Sequence, residues 1–137
     1  MNKRVIISGA TGFIGTVLVR KLVEKKFTVI VLSRNPAKAV AFRTSGVEVA
    51  AWDGNSAQGW GHFAGGAYGI INLAGENIAA GRWTPQRKKA ILDSRLAAGR
   101  AITEAVTQAA QKPRAVIQAS GIGYYGNRGD ENLDETS

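Results

Sequence analysis

The sequence predicts an α/β fold in which helices cover both faces of a parallel sheet. Two observations carry that prediction. Five short runs rich in Val, Ile and Leu alternate along the 137 residues with stretches whose apolar positions recur at helical spacing. Three of the runs also end at glycine, where a strand must turn sharply into the next element. Strand–helix–strand units of this length close through right-handed crossovers, and that makes neighbouring strands parallel.

The first strand is Arg4–Ser8 (RVIIS), and it runs into Gly9-Ala10-Thr11-Gly12-Phe13-Ile14-Gly15. Residues 16–26 form the next helix, with Val17, Leu18, Leu22 and Val23 at helical spacing and lysines on the other side. Thr28–Ser33 (TVIVLS) is continuously apolar, as a parallel strand covered on both faces must be. Asn35-Pro36 then opens a short helix through Arg43, and residues 47–52 (VEVAAW) make the third strand. Residues 54–66 are dominated by glycine and small residues, which predicts a loop with one helical turn around residues 60–64. Residues 68–73 (YGIINL) form the fourth strand and residues 115–119 (AVIQA) the fifth.

Between those two lies the longest helix. Thr84-Pro85 supplies an N-cap and a first-position proline, and Ile91, Ala98, Ile102, Ala105, Val106 and Ala109 repeat at helical spacing until Lys112-Pro113. The expected architecture is a Rossmann-type, doubly wound, three-layer αβα sheet with strand order 3-2-1-4-5, filling residues 1–137 as one domain.

Composition removes several classes of chemistry. The chain has no cysteine, which excludes thiol nucleophiles, disulfides and iron–sulfur clusters, and its single His62 belongs to no cluster with metal-ligand spacing. No apolar stretch reaches the ~18 residues of a membrane helix, so a soluble, cytoplasmic protein without a membrane partner is expected. Lys plus Arg exceed Asp plus Glu by 18 to 10, a formal net charge of +8 that attracts polyanions. The cations are scattered along the sequence, at Lys21, Lys25 and Lys26, then Arg34, Lys38 and Arg43, then Arg87, Lys88 and Lys89. No aromatic residues interleave them there, so nucleic acid is not the expected partner.

The glycine-rich turn carries the strongest chemical signal. In such a sheet, ligands bind outside the carboxyl ends of the strands, where the first strand turns into the first helix. There Gly9 permits the tight turn, Gly12 lets the backbone approach a pyrophosphate, and Gly15 lets helix pack on strand. Thr11, Phe13 and Ile14 complete the turn. Thr16-Val17 stands where a phosphate-binding P-loop needs lysine, so that alternative fails.

At the end of the second strand, NAD-binding proteins carry an Asp or Glu for the ribose 2'-hydroxyl. Here stands Ser33-Arg34, and a guanidinium favours the 2'-phosphate of NADP(H) over NAD(H), unless Arg34 is merely a solvated loop residue. Asp53 is either an acceptor for the adenine amine or a turn-forming residue before Gly54. The small residues of Asn72-Leu73-Ala74-Gly75 let a cofactor pass over the fourth strand. Arg95 shares a helical stripe with Ile91, Ala98 and Ile102, so its head group is expected to meet a carboxylate or an anionic ligand.

These residues, together with Glu76-Asn77-Ile78, Arg82-Trp83, Ser94-Arg95 and Gly123-Tyr124-Tyr125-Gly126, resemble the atypical extended short-chain dehydrogenase/reductases of the NAD-dependent epimerase/dehydratase family, in the branch of "epimerase family proteins". The resemblance covers essentially the whole chain. It implies an NADP(H)-binding domain, lined by the glycine turn, Ser33, Arg34, Leu73, Ala74 and Arg95, of an oxidoreductase or nucleotide-sugar epimerase acting on a nucleotide sugar or a carbonyl compound. Some relatives are associated with cell division, so it also implies a competing, non-catalytic NADP(H)-binding regulator or scaffold.

The chain departs from the family pattern twice. Counting back five residues from Gly126, where extended epimerases carry a catalytic hydroxyl, reaches Gly121, so Ser120 is the nearest candidate. No tyrosine has a lysine four residues on, so the usual Tyr-x-x-x-Lys pair is missing from these residues. Family members continue through further strands and a substrate-binding region, so this sequence is expected to be an N-terminal portion, inactive alone. Its fifth strand would then offer an open edge for a second copy to pair with.

Overall fold

The computed structural model describes residues 3–37, 39–42 and 44–137, apart from the side chains of Val40 and Ile122. Lys38 and Arg43 lie outside the described residues. Five strands form one sheet: β1 (Arg4–Ser8), β2 (Thr28–Ser33), β3 (Val47–Ala51), β4 (Gly69–Asn72) and β5 (Val116–Gln118). Their order is β3-β2-β1-β4-β5 and every pairing is parallel. The expected doubly wound topology is therefore the observed one. The register sets Ser8 beside Leu32 and Asn72, and Asn72 beside Gln118, so the carboxyl ends of the strands share one rim.

Strand side chains alternate between two cores. On one face Ile6, Ile30, Leu32 and Ile70 meet helix α2 (Pro85–Gln108) through Ala98, Ala101, Ile102 and Ala105, with Trp52 and Trp60 filling the space beside them. On the other, Val5, Ile7, Val29 and Val31 pack under helix α1 (Phe13–Glu24) through Val19, Leu18, Leu22 and Val23. Val17, expected in that stripe, is 44% exposed, because Gly15 and Val19 are the buried positions of α1.

The first helix also begins earlier than its apolar spacing suggests. Gly12 is its N-cap, with φ −80° and ψ 176°, and Gly15 already belongs to its first turn. A Cβ on Gly15 would stand 2.5 Å from the Gly9 carbonyl oxygen and 2.6 Å from Ala10 Cα, so the helix reaches the strand end only because that carbon is missing.

Elsewhere the elements obey local chemistry. Thr84 Oγ1 accepts from Arg87 N at 3.1 Å with Pro85 at the first position, so α2 starts where its capping pair predicts. The helical turn expected near residue 60 is the 3-10 segment Gly61–Ala64. The helix expected from Asn35 to Arg43 is reduced, among the described residues, to the 3-10 segment Val40–Phe42. β5 pairs only with β4 among the described residues, and Val116 and Ile117 are about half exposed.

Substituting Gly15→Ala forces the first turn of α1 away from backbone atoms that cannot yield. An overpacked site of this kind costs about 1–3 kcal/mol. Urea denaturation monitored by circular dichroism is expected to show that loss, whereas Gly99→Ala, whose added carbon meets nothing within 4 Å, should leave stability unchanged or raised.

Candidate functional site

The carboxyl rim of the sheet opens into a cavity of about 570 Å³. Gly9, Thr11 and Gly12 form its floor at the first turn, and Ser33 and Arg34 close the β2 side. Trp52 and Asp53 stand where β3 ends, and Leu73, Ala74, Gly75 and Glu76 come directly after β4. Ser94 and Ala98 reach in from α2. The structure thus brings nine of the expected residues to one cavity, namely Gly9, Thr11, Gly12, Ser33, Arg34, Asp53, Leu73, Ala74 and Gly75.

Five expected residues lie elsewhere. Gly15 is beneath the turn as a packing position, and Phe13 and Ile14 are 94% and 66% exposed on the first turn of α1. Ser120 is exposed beyond β5 and outside the cavity lining.

Arg95 is also outside the lining and exposed, and among the described residues it forms no salt bridge with a carboxylate. Its Nη1 donates to the carbonyls of Glu76 at 3.2 Å and Ile91 at 3.0 Å. Ala98 and Ile102 of the same stripe are buried as expected, but none of residues 85–96 is, so the Arg95 head group meets these carbonyls and lies against Gly75, where an added Cβ would stand 3.0 Å from its Cζ.

The cavity floor is fixed by a close approach and a buried polar chain. Gly9 has φ +69°, and a Cβ there would stand 2.7 Å from the Leu73 carbonyl carbon. Below it Ser8 and Asn72 are fully buried. Ser8 Oγ donates to Asn72 Oδ1, which also accepts from Ala74 N at 3.2 Å, and Asn72 Nδ2 donates to Gln118 Oε1 at 2.7 Å. One carboxamide therefore joins β1, β4 and β5 and sets the direction in which Leu73 and Ala74 leave the sheet.

Asp53 forms the expected turn. Its Oδ1 accepts from Asn55 N at 2.7 Å and Ser56 N at 2.9 Å, and its Oδ2 accepts from Ser56 Oγ at 2.9 Å. The N–H groups of Asn55 and Ser56 hold its carboxyl below the ordinary aspartate value. Beside this turn a Cβ on Gly54 would lie 3.6 Å from Arg34 Cδ, so the Arg34 stem runs along the glycine.

Trp52 and Trp60 both donate their indole N–H to the Ser56 carbonyl at 2.9 Å, which ties the same turn to the core. Past β4, the Glu76 carboxylate pairs with Arg87 at 3.0 Å, Arg87 Nη2 donates to the Asn77 carbonyl, and Trp83 Nε1 donates to Ile78 O at 2.8 Å. The segment after β4 is thereby strapped to the start of α2. Trp52, Asn72, Glu76 and Ser94 were not assigned to the site from sequence. Position alone could have flagged Trp52 and Glu76, which come just after strands three and four.

A parallel sheet wound on both faces, with a glycine turn and an uncapped helix N-terminus at a cavity on its carboxyl rim, defines the dinucleotide-binding class of α/β domains. The profile of the NAD dependent epimerase/dehydratase family matches residues 5–137, and the chain belongs to that family.

Among curated relatives, human epimerase family protein SDR39U1 is 33% identical over 136 residues, spanning 98% of this chain and 42% of the relative. Epimerase family protein YfhF of Bacillus subtilis is 32% identical over 133 residues, 97% of this chain and 42% of the relative. The chain thus spans about two fifths of the length of these relatives. Among solved structures, human SDR39U1 isoform 2 with NADPH superposes with TM-score 0.69 at 35% identity, covering 89% of this chain and 38% of that one. MoeE5 in complex with UDP-glucose and NAD gives TM-score 0.75 at 25% identity, covering 98% and 41%. Among the described residues no helix is long and apolar enough to cross a membrane.

Asn72→Ala strands the Ser8 hydroxyl, the Ala74 N–H and the Gln118 carboxamide, and chemical denaturation should show a loss of about 2–3 kcal/mol. Asp53 is more acidic folded than unfolded, so its contribution is present above its ordinary value of 3.8 and is lost as pH falls through its lowered folded value. The urea midpoints of wild type and Asp53→Asn should therefore differ at neutral pH and converge in acid.

Proposed function

We propose that residues 1–137 form the NADP(H)-binding domain of an extended short-chain dehydrogenase/reductase that acts on a nucleotide sugar or a related carbonyl compound. The observation that carries this reading is Arg34 at the tip of β2, on the wall of the same cavity as the glycine turn. A carboxylate at that strand end would grip a free 2'-hydroxyl and repel a 2'-phosphate, whereas a guanidinium attracts one.

The residues present fit such a cofactor. The α1 N-terminus has no side-chain cap and no acidic residue in its first turn, so its N–H groups and partial positive charge are available to a pyrophosphate. A Cβ on Gly12 would lie 3.3 Å from the Gly9 carbonyl oxygen, a tight contact, so glycine there keeps the backbone close to the cavity. The volume lies within the usual range of small-molecule sites.

In this reading Gly9, Thr11, Gly12, Phe13 and Ile14 contribute backbone around the diphosphate, and Gly15 keeps the helix close. Ser33 and Arg34 hold the 2'-phosphate, and Trp52 with the Asp53 turn bounds the adenosine side. Leu73, Ala74 and Gly75 lie under the nicotinamide half, and Arg95 holds the backbone at Glu76 in place. Ser120 is the hydroxyl beyond β5 proposed to meet substrate and move a proton at its Oγ. When bound, the cofactor supplies or accepts hydride. The NADPH of human SDR39U1 and the UDP-glucose of MoeE5 support the same cofactor and substrate classes here.

Calorimetric titration should show tighter binding of NADPH than of NADH, and Arg34→Ala should weaken NADPH by about tenfold or more, the worth of a charged hydrogen bond, while leaving NADH nearly unchanged. Equal, weak binding of both by the unaltered protein would overturn the reading. Binding without hydride exchange toward UDP-sugars by a longer chain that includes the relatives' further strands and substrate-binding region would select the non-catalytic regulator.

The proposal extends to assembly, in which the open edge of β5 pairs with a second copy. Sedimentation equilibrium should then report a dimer, and a monomer mass at high concentration would remove that part.

A further inference from the structure

The parallel topology sends the amino-terminal ends of all five strands to the rim opposite the cavity. The segments that lead into them are Lys3, 25–27, 44–46, 65–68 and 109–115. Among the described residues these segments hold Lys3, Lys25, Lys26, Lys112 and Arg114 and neither Asp nor Glu. Cations dispersed through more than a hundred positions of sequence are thus gathered at one edge of the molecule.

Aromatic rings are interleaved with them in space. Along the strand order, Phe27 stands at β2, Lys3 at β1, Tyr68 at β4 and Arg114 at β5. Lys3 Nζ lies 5.8 Å from the Phe27 ring centroid, Phe27 and Tyr68 meet edge to face at 5.2 Å, and Arg114 Cζ lies 5.4 Å from the Tyr68 centroid. At ~4.8 Å per strand, these four strand ends span ~14 Å. Tyr68 is 41% exposed, and Lys3, Lys25, Lys26 and Arg114 are exposed. Lys112 donates to the carbonyls of Val106 and Thr107, both at 2.9 Å.

We propose that this amino-terminal rim is a docking surface for single-stranded nucleic acid. Its alternation of cation and ring matches a polymer that alternates phosphate and base, with charge drawing the backbone and Tyr68 offering a face on which a base stacks. An acidic peptide would use the cations and leave the rings idle. The surface is separate from the cavity, so the inference stands apart from the cofactor reading.

The test is fluorescence anisotropy of a labelled single-stranded oligouridylate, with inorganic polyphosphate, polyglutamate and phosphatidylserine vesicles as parallel probes. The oligonucleotide should bind with an affinity that falls linearly with salt on logarithmic axes. The double variant Lys3→Glu/Arg114→Glu should weaken it by about tenfold or more, and Tyr68→Ala by about fivefold or more. Excess NADPH should not displace it. Absence of binding, equal or tighter binding of any parallel probe, indifference to Tyr68→Ala, or displacement by NADPH would each overturn the proposal. Should the variants fail to fold, photocrosslinking of an iodouridine oligonucleotide to the unaltered protein decides: adducts on peptides carrying Phe27 or Tyr68 support it, and adducts confined to the opposite rim refute it.

Discussion

The contact on which the rest of the structure depends is the one between the first turn and the exit of the fourth strand. Gly9 presses on the backbone of Leu73 and Ala74 so closely that a single added carbon would overlap it. From there the chain must turn at once, which starts α1 at Phe13 and brings its unpaired N–H groups to the rim. The approach is too close to admit a water between the turn and the β4 exit, so the polar groups there must satisfy one another. The Ser8–Asn72–Gln118 chain meets that requirement. Cavity floor, helix start and strand register are consequences of one steric fact.

Much of this was legible in sequence because it depends on local chemistry. Continuous apolar runs such as TVIVLS leave little choice but a strand covered on both sides, and Thr84-Pro85 fixes a helix start whatever surrounds it. Glycine spacing located the turn for the same reason, since few other residues tolerate its geometry.

The features that were not legible depend on how far a helix is covered and on distance. The stripe read along α2 is the buried one at Ala98 and Ile102, but none of residues 85–96 is buried, so Arg95 stays at the surface. Spacing gives the side of a helix that faces a core and not how far along that side is covered. Asn72 read as a small polar residue in a strand exit because its partners are 64 and 46 residues away. The expected helix after Asn35 had proline as a start signal, yet among the described residues it is reduced to a short 3-10 segment. The cations of the amino-terminal rim were invisible as a group for the converse reason, since only the crossovers bring them together.

The three indoles of the chain occupy three different physical settings. Trp60 is sealed in the core, Trp52 is a wall of the cavity, and Trp83 sits on the strap that ties the β4 exit to α2. Because Trp52 and Trp60 share one carbonyl, the combined emission of both would confuse ligand arrival with loosening of the core. Retaining one indole at a time gives the molecule three intrinsic reporters, one for global unfolding, one for occupancy and one for the strap. The order in which a titrant alters them would resolve the sequence of events at the rim.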